Sequence, residues 1–318
     1  MIRKRPPGAP PLVVAGTMNF GGRIPAGEAE RIVGRAVERG VTAFDTANVY
    51  QDGGSERILG RALRGRRDEV QIATKVGLRR IGGKPEGLAP AVIARALEDS
   101  LKRIGTDRID VYYLHAPDPA TPIEETLAAL DALLYQGKIL HFGVSNYAAW
   151  QIMEMIARRD AEGRPRPAVS QVLYNPLIRQ LDVEYAAFAQ RYAVPTAVYN
   201  PLAGGLLTGR HEGASASQAA SRFQDNGMYQ RRYWSERMFE LVAALKGVAA
   251  DEGMTLLELA YAWAAGREVV DSILVGPASV EHLDAAIDAC AHSLSPEAAR
   301  RIDALHHAHL GTDATYAR

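Results

Sequence analysis

The sequence predicts a closed barrel of eight parallel strands wrapped by helices, the (β/α)8 or TIM-barrel class. Three observations lead there. Short β-rich runs alternate with longer helical runs along the 318 residues. The strand runs are apolar on both faces, as parallel strands covered on both sides tend to be. No Gly-x-Gly-x-x-Gly turn follows the first run, which removes the main support for an open dinucleotide-binding sheet. Eight units in a chain of this length fit one closed barrel.

The first strand is VVAGT (13–17), and the helix after it carries Ile32, Val33, Ala36 and Val37 on one face. TAFDT (42–46) is the second strand, followed by a helix at 55–63. VQIATK (70–75) is the third, with a helix at 90–104. IDVYYLH (109–115) is the fourth, with a helix at 123–135. LHFGVS (140–145) is the fifth, with a helix at 148–160. AVSQV (168–172) is the sixth, with a helix at 183–192. TAVYN (196–200) is the seventh. A long stretch containing GASASQAAS (213–221) comes next and has no apolar period. A helix at 233–250 follows it. DSILVG (271–276) is the eighth strand, with a helix at 280–291 and a last helix at 296–307. Residues 1–318 read as a single domain, with the barrel core at about 12–292 and a C-terminal helix and tail at 293–318. The long loop after strand 7 leaves from the end of the barrel where such folds carry their sites.

Bulk composition narrows the partners. Lys plus Arg and Asp plus Glu both number 37, so no basic excess points to nucleic acid or an anionic membrane. Cys290 is the only cysteine, which excludes an intramolecular disulfide and a cysteine-rich metal site. No apolar stretch approaches a membrane span, and the run after the basic Arg3, Lys4 and Arg5 is too short for a signal-peptide core. The expectation is a soluble, cytoplasmic protein with no metal, acting on a small molecule.

The chemistry should sit where strands end, at the C-terminal mouth of the barrel. Strand 2 ends in Asp45, strand 3 in Lys75, strand 4 in His115, strand 5 in Ser145 and Asn146. Strand 6 carries Gln171, strand 7 ends in Tyr199 and Asn200, and strand 8 ends in Gly276. Singly, each has an ordinary reading: a turn cap for Asp45, a solvated lysine, a loop-start histidine. Charged residues ending three consecutive strands converge on one mouth, where burial demands that they pair. Such a set supports proton transfer beside a charge pair. Asp45 would hold Lys75 charged, and the ammonium would lower the pKa of a neighbouring phenol. Tyr50, five residues after Asp45 in the strand 2 loop, is placed to reach back over the mouth.

In their contexts FDTANVY, IATK and YYLH, the residues Asp45, Tyr50, Lys75 and His115 resemble the catalytic tetrad of the aldo-keto reductases. GVSNY (143–147), SQVLYN (170–175) and YNPLAGGLLTG (199–209) resemble that family's cofactor motifs. The segments DGGSERILG, YYLHAPDPATPIEETLAAL, SNYAAWQ, NPLIRQL and MYQRRYW, with the terminal Tyr316-Ala317-Arg318, resemble the aflatoxin-aldehyde and succinic-semialdehyde reductase subgroup. The resemblance implies reduction of an aldehyde or ketone, aldehydes carrying a carboxylate and dialdehydes among them, with Tyr50 as general acid, Lys75 and Asp45 tuning it, and His115 placing the carbonyl oxygen.

It also implies a nicotinamide cofactor, NADP(H) in preference, held by Gly16, Thr17, Met18, Asp45, Ser145, Asn146, Gln171, Tyr199, Asn200, Pro201, Leu202, Gly204 and Leu206. Ser145, Asn146 and Gln171 would bond the carboxamide, Tyr199 would stack on the nicotinamide, and amides of 202–206 with Arg210 would hold the pyrophosphate. Arg222 would face the adenosine phosphate, with Gly276, Ala278 and His282 around strand 8. There the chain departs from the family pattern: His282 replaces a long polar side chain, and Ala285 and Ala286 stand at the adenine edge. NAD(H) or dual use therefore stays open. Met18, Asn19, Tyr50, His115, Arg231, Arg232 and Arg318 would line the substrate pocket, the arginines suiting a substrate carboxylate. Trp150 and Trp263 read as helix-packing residues, and Tyr112, Tyr113 and Tyr174 as wall or core. A homodimer fits the subgroup. The alternatives are a cofactor-bound, redox-sensing regulatory subunit with little turnover, and a metal-dependent barrel hydrolase using Asp45 and His115.

Overall fold

The computed structural model describes residues 3–211, 213–215, 218 and 221–312. The strands, in chain order, are β1 (Leu12–Gly16), β2 (Ala43–Asp45), β3 (Gln71–Val76), β4 (Arg80–Ile81), β5 (Lys84–Pro85), β6 (Ile109–Leu114), β7 (Ile139–Ser145), β8 (Ser170–Leu173), β9 (Thr196–Tyr199) and β10 (Ser272–Val275). Eight of them close a barrel in the order β1-β10-β9-β8-β7-β6-β3-β2, with every neighbouring pair parallel. β4 and β5 form a separate antiparallel hairpin above β3, which the alternation of strands and helices did not announce.

Side chains alternate faces along a strand, so each barrel strand feeds two cores. The inward set is Val14, Ala43, Ala73, Val111, Tyr113, Val169, Ala197 and Leu274. The outward set packs under the helices and includes Phe44, Ile72, Tyr112, Leu114, Val144 and Ile273. Both cores are closed to water, which explains the doubly apolar strand runs. Tyr112, Tyr113 and Tyr174 are fully buried among them.

Around the barrel lie α1 (Ala26–Glu38), α2 (Gly54–Ala62), α3 (Pro90–Ile104), α4 (Ile123–Tyr135), α5 (Ala149–Ala161) and α6 (Tyr185–Arg191). They continue as α7 (Gly227–Tyr233), α8 (Glu236–Asp251), α9 (Leu256–Gly266), α10 (Val280–Ala289) and α11 (Pro296–Leu310). The helix expected at 233–250 starts later, because the Ser235 hydroxyl caps α8 by accepting from the Met238 N–H; Tyr233 closes α7 instead. α9 was not expected at all. LLELAYAWAAG is apolar nearly all round, so no amphipathic period stands out, although the Thr255–Glu258 capping box marks its start. Trp263 on α9 is buried, with the guanidinium groups of Arg179 and Arg267 at 5.2 Å and 5.3 Å from its ring. Trp150 is not a packing residue: at the start of α5 it is 66% exposed.

The α2–α3 contact brings the second and third units together. Gly60 on α2 lies against the α3 backbone, where a Cβ would stand 2.0 Å from the Ile104 carbonyl oxygen. Four residues earlier, the buried Glu56 accepts from Thr74 of β3 at 2.6 Å and from Arg103 of α3 at 2.5 Å. Gly60→Ala must therefore push α2 off α3. Urea denaturation should show a loss of about 2–3 kcal/mol; a loss below about 0.5 kcal/mol, the range of ordinary surface changes, would contradict this packing.

Candidate active site

The inward alternation places the mouth residues two positions beyond the inner core. Ala43 leads to Asp45, Ala73 to Lys75, Val111 and Tyr113 to His115, Val169 to Gln171, and Ala197 to Tyr199. Ser145 stands in register with Gln171 across β7 and β8. Strand periodicity alone thus converges side chains from neighbouring strands on one opening.

Lys75 is the centre of the set. Its ammonium bonds the Asp45 carboxylate, donates to the Thr46 carbonyl at 2.9 Å, and reaches the Tyr50 hydroxyl at 3.4 Å. The Lys75 and Asp45 side chains are 0% and 2% exposed. Gln171 donates to the second Asp45 oxygen at 2.9 Å, so both carboxylate oxygens are occupied. Behind them, the Ser55 hydroxyl lies 2.7 Å from the Thr17 hydroxyl and 3.1 Å from the Thr46 hydroxyl. Thr17 in turn donates its hydroxyl to the Asp45 carbonyl at 3.1 Å.

Burial is the largest influence on Lys75 and lowers its pKa, but Asp45 and then Tyr50 together outweigh it, and the ammonium ends above its ordinary value. Tyr50 moves opposite to what the lysine alone implies. Burial pushes the phenol up, Lys75 pulls it down, and Asp45 adds to the rise, for a net increase. Tyr50 is thus a protonated phenol at neutral pH. The His115 ring stands edge-on to Tyr50 with centroids 6.0 Å apart. Burial, and then the Lys75 charge, push its imidazole down to about 3, and its buried Nδ1 has no partner among the described residues. A neutral imidazole and a protonated phenol side by side make two hydrogen-bond donors for one oxygen atom.

Beside this set, Asn146 is left-handed at φ 63°. It is pinned by its own donation to the His115 carbonyl (2.9 Å) and to the Ser145 hydroxyl (3.1 Å), and by a bond from the Tyr199 hydroxyl (2.7 Å). Asn200, at φ 61°, caps the next turn by accepting from the Gly204 N–H at 2.6 Å. The amides of Ala203, Gly204 and Gly205 are spent within this turn, and Gly204 allows Tyr229 to pack where a Cβ would stand 2.7 Å from its ring. Arg210 is exposed at the turn's exit, and Pro201, Leu206 and half-buried Leu202 form its inner face. Arg222 donates to the Asn19 side chain at 3.0 Å and lies 5.7 Å from the Tyr229 ring, bringing the long loop over the β1 end. Burial first, and then Arg222 and Arg210, lower the pKa of Arg23, so three guanidinium groups share this side of the mouth. Arg23 was not singled out from the sequence, and nothing in its local context marks it.

Gly16 ends β1, and the exposed Met18 and half-buried Asn19 follow it. Arg232 acts on the Tyr199 phenol, which burial pushes up to about 12, while Arg231 is exposed. Gly276, Ala278 and His282 are exposed around the start of α10, where the Ser279 hydroxyl caps the His282 N–H at 3.3 Å. Ala285 is exposed, but Ala286 is buried in the core. Arg318 lies outside the described residues. Among the described residues no cluster of three or more His, Cys, Asp or Glu side chains forms a metal site, and no helix is long and apolar enough to cross a membrane.

A family model described as the aldo/keto reductase family matches residues 12–307. The chain belongs to the aldo/keto reductase family. It is 36% identical over 303 residues to aflatoxin B1 aldehyde reductase member 2 of Homo sapiens, covering 89% of this chain and 83% of the relative. It is 35% identical to human aldo-keto reductase family 7 member A3, covering 87% of each chain. It is also 33% identical to a probable voltage-gated potassium channel subunit beta of Arabidopsis thaliana, over 81% of this chain and 80% of that one. The subgroup resemblance in the motifs is thus matched by these aflatoxin-aldehyde-reductase relatives. As a family member the chain is an oxidoreductase acting on carbonyl groups with a nicotinamide cofactor.

The His115 environment makes a stability prediction. Its imidazole titrates at about 3 when folded against an ordinary value of 6.5, so the unfolded chain binds the extra proton between these limits. The stabilisation is full above pH 6.5 and is lost as pH falls towards 3. Between pH 7 and pH 5 the wild type should lose about 2 kcal/mol more than His115→Asn. Urea melts at the two pH values check this, and equal losses would remove the assignment.

Proposed function

We propose that this reductase takes small aldehydes, including ones bearing a carboxylate, with NADPH as its preferred cofactor. The observation that carries the reading is the Tyr50 hydroxyl 3.4 Å from the buried Lys75 ammonium, with the neutral His115 ring edge-on beside it. When bound, the nicotinamide supplies the hydride that adds to the carbonyl carbon. His115 donates a hydrogen bond that fixes the carbonyl oxygen next to Tyr50. Tyr50 gives its proton to that oxygen as negative charge develops, leaving an alcohol and a phenolate. The Lys75 ammonium stabilises the phenolate, and Asp45 keeps Lys75 charged and aimed. Solvent returns the proton to Tyr50.

The donor set suits a phosphate-bearing nicotinamide. Ser145 and Asn146 offer a hydroxyl and an amide beside Tyr199, and Arg23, Arg210 and Arg222 supply cationic groups on the loop side. The capped start of α10, with His282, is the candidate for the 2′-phosphate. Arg232 near Tyr199 supports a carboxylate-bearing substrate. The buried Cys290, the one cysteine of the sequence, supports a reducing, cytoplasmic location. The identity to a channel β subunit keeps a redox-sensing role as the second reading, and turnover separates the two.

Consumption of NADPH with aldehydes that do and do not carry a carboxylate tests the function. Tyr50→Phe should lower kcat by at least about a hundredfold. Equal, negligible rates for wild type and variant on every carbonyl would favour the sensing role. His282→Arg should tighten NADPH by roughly tenfold and leave NADH unchanged, the worth of one charge-assisted bond. Unchanged NADPH affinity in a fluorescence titration would move the phosphate site elsewhere.

A further inference from the structure

Tyr50 sits on a short turn in which its N–H donates to the Ala47 carbonyl at 3.1 Å and its own carbonyl accepts from the Gly54 N–H. Gln51 and Asp52 follow it at φ 48° and 51°, a left-handed pair without glycine. The Tyr50 hydroxyl meets Lys75 only at the long distance of 3.4 Å. Glu86 and Arg79, which flank the β4–β5 hairpin, add side-chain contacts to this turn that the proton chemistry does not otherwise use.

Asn48, two residues before Tyr50, is 2% exposed. Its backbone N–H donates to the Lys75 carbonyl at 3.2 Å, and its side-chain N–H donates to Glu86 Oε1 at 2.7 Å. The same Glu86 oxygen accepts the backbone N–H of Gly77 at 2.9 Å. Gly77 lies two residues beyond Lys75, and Glu86 directly follows β5. One carboxylate oxygen thus joins the turn that carries Tyr50 to the strand end that carries Lys75. On the other side of Tyr50, Asp52 pairs with Arg79 at 2.7 Å.

The two grips are unequal. The Asp52 side chain is 78% exposed, and an ion pair in water is screened and adds little. The Glu86 bond to Asn48 is charge-assisted and reaches a buried amide. The Asn48 Oδ1 is buried without a partner among the described residues, so Glu86 is the side-chain contact that orients this amide.

We propose that Glu86 is a positioning residue for the reduction: through Asn48 and Gly77 it sets the reach of the Tyr50 hydroxyl over Lys75. The role rests on the reductase reading above. Loss of the contact leaves cofactor and substrate binding in place and misaligns the proton donor, so its cost falls on kcat.

Steady-state kinetics of Glu86→Ala, Glu86→Gln and Glu86→Asp with NADPH and an aldehyde test the role. Glu86→Ala should lower kcat roughly tenfold or more. Both KM values should stay within about twofold. The deuterium isotope effect on kcat with NADPH labelled at the transferred position should rise as chemistry becomes limiting. Glu86→Gln keeps an oxygen that accepts from both donors and should restore kcat. Glu86→Asp keeps the charge but falls short of both donors, so it should be slow; it decides the matter if Glu86→Ala does not fold. Wild-type kcat in the Ala or Asp variant, or a Gln variant as slow as Ala, overturns the positioning role while the reductase reading stands. No turnover in the unsubstituted protein sinks the reductase reading and this role with it.

Discussion

The buried Lys75–Asp45 pair is the constraint around which the mouth is arranged. Taking two charges out of water is expensive, and breaking such a pair by removing one partner typically costs about 3–5 kcal/mol. The pair persists because every remaining valence is met. Lys75 also donates to Thr46 and Tyr50, and the second Asp45 oxygen accepts from Gln171 on the far side of the barrel. The hydroxyls of Thr17, Thr46 and Ser55 fill the space behind. A charge so enclosed is little screened by salt or water, so its field acts on the neighbouring phenol at nearly full strength.

That enclosure also explains the protonation states. The same burial that would deprotonate a lone lysine raises the Tyr50 phenol and lowers the His115 imidazole. The lysine alone implied a phenol shifted downwards. The larger effect is desolvation, which keeps Tyr50 protonated at neutral pH, while Lys75 pulls the other way and favours the phenolate form.

Much of this was legible because strands impose period two. Asp45, Lys75, His115, Gln171 and Tyr199 each sit two positions past an inward core residue, so marking strand ends was enough to gather them. What escaped was set by tertiary contact. α9 hid because a helix buried nearly all round has no polar face to give it a period. The hairpin residues 80–85 are exposed and too short for a strand pattern. Trp150 reads as core by composition, yet it stands at a helix start facing water. Gln171 was read as a carboxamide ligand, and nothing local to β8 shows that its amide donates to Asp45 across the barrel.

The two halves of the mouth differ in the same way. The half built around Lys75 and Asp45 stands on strand ends, whose geometry the barrel dictates. The arginine-bearing half stands on loops, where Arg222 crosses to Asn19 on the β1 side, 203 residues away in sequence. Burial first, and then Arg222 and Arg210, lower the pKa of Arg23, so like charges share this side of the mouth. A barrel thus fixes the side chains that end its strands by strand geometry, whereas those on its loops take their places from contacts made far along the chain.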